Sequence, residues 1–175
     1  LHPVYTHSAE INSTYTEENK DSFADVCLAG RLMSIRDMGK ASFGVLQDDR
    51  GKIQFYLKQD DVCLGDDKTL YQQLWKKLID IGDIIGIKGY VFTTKTGEIS
   101  VHVRAFTLLS KSLRPLPIVK EKEGETFDEV TDPEFRYRQR YADLIVNPGV
   151  KEVFLKRTRM INAMRDYLNA QGAVE

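Results

Sequence analysis

Apolar and polar positions alternate from residue 25 to residue 58, which indicates β-strands with one buried face. The clearest run is KIQFYL, residues 52–57, in which every second residue from Ile53 onward is apolar. Two further strands precede it, at about residues 26–32 and 41–47, and an Asp-Asp-Arg-Gly turn joins the second strand to the third. The first third of the chain is therefore predicted to contain three consecutive strands.

A helical period replaces this alternation from residue 66 to residue 82. Leu70, Leu74 and Leu78 recur every four residues, and an adjacent tryptophan and isoleucine broaden the stripe. Either of two aspartates can cap the start of the helix, and Gly82 can end it in a left-handed turn. The segment is predicted to be one amphipathic helix of roughly three turns.

Strand patterns return at residues 84–92 and 98–110, separated by the turn sequence Thr-Lys-Thr-Gly. The order is three strands, a helix and two strands, which is the connectivity of the oligonucleotide/oligosaccharide-binding barrel (OB-fold). The predicted fold class is therefore mainly β: a five-stranded OB-fold barrel with a helix between strands 3 and 4, followed by a linker and a long C-terminal helix.

The domain organisation follows from breaks in these patterns. We expect an N-terminal surface arm at 1–22, the barrel at 23–117, a charged linker at 118–133 and the start of a further domain at 134–175. Asn147 and Pro148 suggest the start of the last helix, as N-cap and first helical residue, and Gly172 suggests its end. Its apolar stripe needs a cover, which we expect to be another subunit or the rest of a domain.

Composition narrows the class of protein without specifying its function. The chain has 175 residues, 42% of them hydrophobic, with a formal net charge of −1. No apolar run reaches the roughly 18–20 residues of a membrane span, and the N-terminus has no secretory signal pattern. The two cysteines have no paired spacing, so we expect neither a disulfide framework nor a zinc site, and Cys27 is predicted to be buried. A cytoplasmic location is the default interpretation, and because the chain starts at Leu1, we expect it to derive from a longer protein.

Charge is unevenly distributed along the chain. Residues 134–165 carry eight lysines and arginines against three acidic residues, whereas residues 1–25 carry one lysine against five acidic residues. The basic stretch suits a nucleic-acid partner, but a solvated helix face explains such a run equally well.

The strand pair at residues 41–57 carries the candidate chemistry, because an OB-fold commonly binds single strands on strands 2 and 3. Phe43 can stack on a base, Gln54 can read a pyrimidine edge with its donor and acceptor, and Arg36 and Lys40 can meet phosphate or base oxygens. The alternatives stay open: the alternation also allows Phe43 in the core and Gln54 as a solvated side chain. His102 is predicted to be a surface strand residue without a role.

Catalytic patterns are not found in the sequence. The segments GKIQ and GKAS lack the spacing of a phosphate-binding loop, and the three Asp-Asp pairs lie in turns, where capping and solvation account for them. We therefore assign no catalytic and no metal-binding residue to this chain.

Four segments together resemble lysyl-tRNA synthetases: LAGRLMSIRDMGKASFGVLQDDRGKIQFYL, GDIIGIKGYVFTTKTGEISVHV, LLSKSLRPLP and DPEFRYRQRYADLIVN. The resemblance runs from about Asp25 to the C-terminus, and THSAEI in the leader is similar as well. Aspartyl and asparaginyl enzymes share the barrel, but LRPLP followed by RYRQRYADL is typical of the lysyl enzymes.

The resemblance implies an anticodon-binding barrel joined to a class II catalytic domain. It implies that Phe43 stacks on an anticodon uracil of tRNA-Lys, that Gln54 bonds the edge of that base, and that Arg36 and Glu98 line the same pocket. The last helix resembles the start of motif 1, which forms the homodimer interface of the full-length enzyme.

The same resemblance implies that the full-length enzyme is a lysine–tRNA ligase that uses ATP and Mg²⁺ to form lysyl-adenylate. Motifs 2 and 3 are absent from this sequence, so the chain alone is expected to bind neither cofactor and to be inactive. Two alternatives remain: a sequence-tolerant single-strand-binding OB module without ligase function, and an assembly module that works through the last helix.

Overall fold

The structure is a computed structural model that describes residues 6–63, 65–117, 120–122, 125–127, 132–147 and 149–174. The chain divides into two compact units, residues 1–115 and residues 116–175. The first unit is built on a β-barrel, and the second is mainly helical.

Five strands of the first unit close into a barrel in the order β1-β2-β3-β5-β4. All neighbouring pairs are antiparallel except β3 and β5, whose parallel pairing completes the barrel. A helical segment lies between the third and fourth strands, so the predicted OB-fold barrel is confirmed. The strands are β1 (Val26–Asp37), β2 (Ala41–Gln47), β3 (Lys52–Lys58), β4 (Ile84–Thr93) and β5 (Ile99–Ser110).

The barrel interior is a continuous apolar core made by alternate residues of every strand. The alternation predicted for β3 is confirmed, because its apolar positions are buried and Gln54 and Tyr56 are only partly buried. The fully enclosed core side chains of the strands are Leu28, Leu32, Leu46, Phe55, Leu57, Ile85, Ile87, Val101 and Val103.

The segment between β3 and β4 contains a short helix, α2 (Gln59–Val62), and a π-helix at Leu70–Leu78. The predicted helix is therefore present, and Trp75 and Ile79 of its predicted stripe are buried. Two of the leucines were predicted wrongly, because Leu70 and Leu78 are exposed, and Tyr71 is buried instead. The aromatic stripe is preferred because it covers more apolar area and because both aromatic side chains hydrogen-bond the hydroxyl of Ser42 inside the barrel.

Neither aspartate occupies the N-cap of the π-helix, which is Thr69 and has no side-chain cap hydrogen bond, so that part of the prediction was wrong. The Asp67 carboxylate accepts a hydrogen bond of 2.8 Å from the Thr69 backbone N–H at the start. Gly82 has a φ of 103°, so the predicted left-handed turn is present, although the helix itself ends four residues earlier at Leu78.

A buried carboxylate fixes the turn between the π-helix and β4 to the end of β5. The Asp83 side chain is fully enclosed and accepts hydrogen bonds from the backbone N–H groups of Asp80 and Ser112 and from Lys111 Nζ, at 2.7–2.8 Å. Burial alone would raise the pKa of the Asp83 carboxyl, but these donors outweigh burial and hold the pKa below its ordinary value.

The segment before β1, predicted as a surface arm, forms a helix, α1 (Ser8–Thr14), and a 3₁₀-helix at Glu17–Phe23. Ile11 is fully buried in the barrel core cluster, which a polar composition had concealed. Asp48 after β2 accepts hydrogen bonds from the backbone N–H and the hydroxyl of Ser8, at 2.6 and 2.8 Å. These contacts fasten the N-terminal segment to the barrel.

The two cysteines are free. The prediction that Cys27 is buried was wrong, because it lies at a partly exposed outward position of β1 between two buried residues, Val26 and Leu28. Partial burial raises the pKa of the Cys27 thiol. Cys63, in contrast, is buried.

The second unit contains a two-stranded pair, β6 (Lys120–Lys122) and β7 (Glu125–Phe127), within the segment predicted as a linker. Three helices follow: α3 (Pro133–Arg138), α4 (Arg140–Val146) and α5 (Val150–Ala170). Asp132 caps α3 by accepting from the backbone N–H groups of Glu134 and Phe135.

The predicted N-cap of the last helix was wrong. Asn147 follows α4, and its amide donates a 2.6 Å hydrogen bond to the buried carboxylate of Asp143. Gly149, with a φ of 82°, directly precedes α5, and Pro148 lies outside the described residues. The helix ends two residues before Gly172, which has a φ of 85°, as the sequence predicts.

Residues 151–170 of α5 are all exposed within this chain, including the apolar ones of its predicted stripe. Among the described helices, none combines the length and apolar character that a membrane crossing requires.

Candidate nucleic-acid interface

The orientation of β2 decides which of its side chains can meet a ligand. Ser42, Gly44 and Leu46 point into the barrel, and Phe43 is therefore on the outer face. A Cβ at Gly44 would lie 2.4 Å from the Phe55 ring, so only glycine fits that inward position. The apolar alternation had left Phe43 open between core and surface, and these inward contacts resolve it in favour of the surface.

An open cavity of about 520 Å³ lies on this outer face, between the β1–β2–β3 surface and the turn before β5. All four residues that the sequence and its resemblance single out line it: Arg36, Phe43, Gln54 and Glu98. Lys40 lies in the β1–β2 turn and is not part of this lining. The other lining residues are Ser34, Ile35, Gly44, Val45, Thr94 and Thr96.

Strand register brings the aromatic ring and the arginine together. Arg36 on β1 pairs with Phe43 on β2, and Phe43 pairs with Tyr56 on β3. The two rings are 4.9 Å apart at their centroids and inclined at 47°. Phe43 thus has the Tyr56 ring on one neighbouring strand and the exposed Arg36 on the other.

The amide of Gln54 is held at both ends. Its Nε2 donates to Glu98 Oε2 over 2.9 Å, and its Oε1 accepts from Ser100 Oγ over 2.7 Å. Each amide atom has one hydrogen-bonding position left over, because Nε2 carries two hydrogens and Oε1 two lone pairs. The cavity therefore offers an aromatic surface, an oriented donor–acceptor pair, a cation and an anion, which is a set suited to an unpaired nucleobase.

Comparison with known proteins agrees with this geometry. Residues 26–109 match the model of the OB-fold nucleic acid binding domain that describes tRNA anticodon-binding domains. The match runs through all five barrel strands, from Val26 to Leu109, and covers just under half of the chain.

Curated relatives extend the similarity to almost the whole chain. A lysine–tRNA ligase of Porphyromonas gingivalis strain W83 is 55% identical over 172 residues, which are 98% of this chain and 30% of the relative. The lysine–tRNA ligase of Azobacteroides pseudotrichonymphae is 56% identical over the same share of this chain and 34% of its own length. That of Christiangramia forsetii is 54% identical over 99% of this chain and 31% of its own.

The resemblance to lysyl-tRNA synthetases is therefore confirmed, and the chain spans about a third of the length of the curated relatives that it matches. The OB domain accounts for the barrel, and the similarity continues through the second unit.

The outer face of this OB domain holds further residues that were not assigned to the site from the sequence, including His102, which was predicted to have no role. Tyr56, His102 and Tyr90 follow one another across β3, β5 and β4, and His102 stacks on Tyr90 with centroids 4.8 Å apart. His102 Nε2 lies 2.6 Å from Asp61 Oδ2, and Nδ1 lies 2.9 Å from the Tyr90 hydroxyl. The sequence signal was the outward position of Tyr56 beside Gln54, but the register that adds His102 is not visible in a linear pattern.

One group of described residues has the spacing of a cation site: His7, Asp48 and Asp49. Its central carboxylate is already occupied, because Asp48 accepts hydrogen bonds from Ser8 and from the backbone N–H groups of Arg50 and Gly51. Burial opposes the charged form, yet these donors lower the pKa of Asp48 below its ordinary value. The group is therefore explained by the β2–β3 turn.

Proposed function

We propose that this chain is the tRNA-recognition part of a lysine–tRNA ligase, and that its OB domain binds the anticodon of tRNA-Lys. Phe43 stacks on the central uracil, Gln54 bonds the edge of that base, and Arg36 and Glu98 border the pocket. The carrying observation is that these four residues, from three strands and a turn, line one cavity on the outer barrel face.

The magnitudes are adequate for selective recognition of one nucleotide. A base stacked on an aromatic side chain contributes about 1–3 kcal/mol. A site built to hydrogen-bond one base edge rejects an analogue that leaves its polar groups unpaired. One stacked and bonded uracil therefore accounts for local selectivity, and further contacts along the RNA would supply the remaining affinity.

The activity that we propose for the whole ligase is ATP- and Mg²⁺-dependent attachment of lysine to tRNA. We assign the binding of ATP and Mg²⁺ to the catalytic domain of the whole ligase, as the resemblance to lysyl-tRNA synthetases implies. We assign residues 134–175 to the start of the class II catalytic domain and the exposed apolar side of α5 to a homodimer contact.

The test is a binding titration of the 175-residue chain with two RNA stem-loops, one carrying the anticodon UUU and one with a changed central base. We expect clear preference for UUU, and weaker binding of the UUU stem-loop by Phe43→Ala. Equal binding of both stem-loops would favour a sequence-tolerant single-strand module instead.

Sedimentation velocity of the same chain, with and without the UUU stem-loop, separates the remaining alternative. A concentration-dependent dimer that has no affinity for either stem-loop would favour an assembly module and would contradict anticodon binding.

A further inference from the structure

We propose that Glu98 and Ser100 lock the Gln54 amide in one orientation, and that this lock makes the pocket accept uracil and reject cytosine. The inference rests on the proposed function, since it concerns the base that Gln54 would read. In it Glu98 and Ser100 are positioning residues: they act through Gln54 and need not touch the RNA.

The inference rests on hydrogen bonds that connect three side chains: Glu98, Gln54 and Ser100. Glu98 Oε2 receives the Gln54 Nε2 hydrogen over 2.9 Å, and Ser100 Oγ donates to Gln54 Oε1 over 2.7 Å. Ser100 is fully buried, and it pairs directly with Gln54 in the parallel β3–β5 register. Its hydroxyl oxygen is 3.5 Å from the Glu98 carbonyl, so its single hydrogen is best placed for Gln54.

Glu98 determines which atoms donate and which accept in these hydrogen bonds. An ionised carboxylate can only accept hydrogen bonds, whereas a serine hydroxyl can either donate or accept. A Gln54 amide rotated by 180° would place Oε1 against Glu98 Oε2, and two acceptors would then face each other without a hydrogen. The observed orientation, with Nε2 toward Glu98, is therefore the favoured one, and Ser100 completes it by donating to Oε1.

The amide orientation matters because uracil and cytosine present donors and acceptors in opposite order, and rotation of the amide by 180° exchanges its donor and acceptor in the same way. On uracil, N3–H is a donor beside the O4 acceptor; on cytosine, N3 is an acceptor beside the N4 amino donor. A glutamine that is free to rotate can match either base by exchanging its oxygen and nitrogen. A glutamine fixed in one orientation matches only one of them, and its remaining Oε1 lone pair and Nε2 hydrogen suit the N3–H and O4 edge of uracil.

The supporting backbone is braced, so the lock does not depend on a loose side chain. Glu98 ends the turn after β4, where its backbone N–H donates to Thr94 Oγ1 over 3.0 Å and its carbonyl accepts from the Thr94 N–H over 2.9 Å. Gly97 in the same turn has a φ of 85°. Glu98 is exposed and Ser100 is buried. The hydrogen bonds on Gln54 therefore come from one residue at the pocket and from one residue that is fixed inside the barrel.

The experiment measures selectivity between two stem-loops that differ only in the central anticodon base, uracil or cytosine. Fluorescence anisotropy gives the ratio of their dissociation constants for the wild-type chain, Glu98→Gln and Ser100→Ala. Glu98→Gln keeps the shape but can donate as well as accept, so we expect the ratio to fall at least fivefold, mainly through tighter binding of the cytosine stem-loop. Ser100→Ala is expected to lower the ratio less.

The matched control is Asp66→Asn, which removes one negative charge from an exposed position of the same unit. It separates loss of charge from loss of orientation, because a charge effect raises affinity for both stem-loops equally. An unchanged ratio in Glu98→Gln, or an equal gain for both stem-loops, would overturn the inference. Thermal melts of all variants verify that each is folded.

A second measurement needs no RNA and keeps the inference distinct from the proposed function. The side-chain amide protons of Gln54 in the ¹⁵N spectrum should be widely separated in the wild-type chain and should approach each other in Glu98→Gln. If the wild-type chain fails to distinguish the two stem-loops although the amide is locked, the selectivity claim is overturned. If neither stem-loop binds, the proposed function fails with it.

Discussion

Phe43 and Tyr56 stand opposite each other on β2 and β3, with ring centroids 4.9 Å apart and planes inclined at 47°. Tyr56 in turn contacts His102 edge-on at 5.2 Å. The Phe43 ring is thus held by a neighbour on the adjacent strand and needs little ordering when a base approaches. Preorganisation of this kind favours affinity because less conformational freedom is lost on binding.

Replacement of Phe43 should weaken RNA binding in proportion to the lost stacking surface. For Phe43→Ala we expect a loss of about 1–3 kcal/mol in binding of the UUU stem-loop, measured by anisotropy. Phe43→Tyr is the matched control, because it keeps the ring and should stay within about threefold of wild type, well under 1 kcal/mol. Unchanged affinity in Phe43→Ala would show that the base lies elsewhere.

Gly89 should tolerate no side chain, because a Cβ there would lie 1.9 Å from the His102 carbonyl oxygen on the paired strand. We expect Gly89→Ala to lower the free energy of unfolding by about 2–4 kcal/mol, measured by urea denaturation. Gly86→Ala in the same strand is the control: its Cβ would meet only the Leu109 side chain, at 3.5 Å, and should cost less than about 1 kcal/mol. Equal losses in both variants would contradict the predicted role of the close approach.

Asp83 should contribute more to stability than its neighbour in the same ion pair. Asp83→Ala leaves Lys111 and two backbone N–H groups without their buried acceptor, and we expect a loss of about 3–5 kcal/mol of unfolding free energy. Asp80, whose side chain is 71% exposed, also pairs with Lys111, but Asp80→Ala should cost about 0–1 kcal/mol. Chemical denaturation of both variants and the wild-type chain measures the two losses of unfolding free energy, and equal losses would contradict the prediction.

Asp48 should make stability sensitive to acid. Because its pKa is lowered in the folded chain, its charged form stabilises the fold at and above the ordinary aspartate pKa of about 3.9. That contribution is lost as the pH falls toward the lowered value. The stability difference between wild type and Asp48→Asn should therefore be constant above about pH 5 and shrink below about pH 4.

The Asp48 prediction is measured by urea denaturation at a series of pH values between about 3 and 7, which brackets the ordinary aspartate pKa. Ser8→Ala serves as the partial variant, since it removes the hydroxyl donor but leaves the backbone N–H. It should show a smaller acid dependence than wild type. A difference between wild type and Asp48→Asn that grows on acidification would contradict a stabilising role for the charged carboxylate.

The strand order could be predicted from the sequence because apolar period and turn residues are local signals. The orientation of β2 could not, since Ala41, Phe43 and Val45 look more apolar than the residues that actually point inward. Ser42 points inward because Trp75 and Tyr71 bond its hydroxyl, and these partners lie about thirty residues away. The burial of Tyr71 on the π-helix was missed for the same reason.

The residues of the candidate site likewise fall into those that local sequence signals predict and those that depend on contacts between distant segments. Phe43, Gln54 and Arg36 could be chosen by their residue types on a predicted hairpin, and Glu98 followed from the resemblance alone. Ser100 and His102 were not assigned to the site, because their relevance depends on which strand pairs with β3. Only the parallel register of β5 brings Ser100 to Gln54, across 46 positions of the chain.

The parallel pairing of β3 with β5 also has a kinetic consequence. It joins residues 46 positions apart in sequence, so it carries a larger loop-closure cost than the three consecutive pairings β1–β2, β2–β3 and β4–β5 and is expected among the later steps of folding. Gln54 lies on the β3 side of this pairing, and its two hydrogen-bond partners, Glu98 and Ser100, lie on the β5 side. In a barrel that is still folding or partly open, Gln54 would therefore lack both hydrogen-bond partners. Discrimination between uracil and cytosine would then require that β5 is paired with β3.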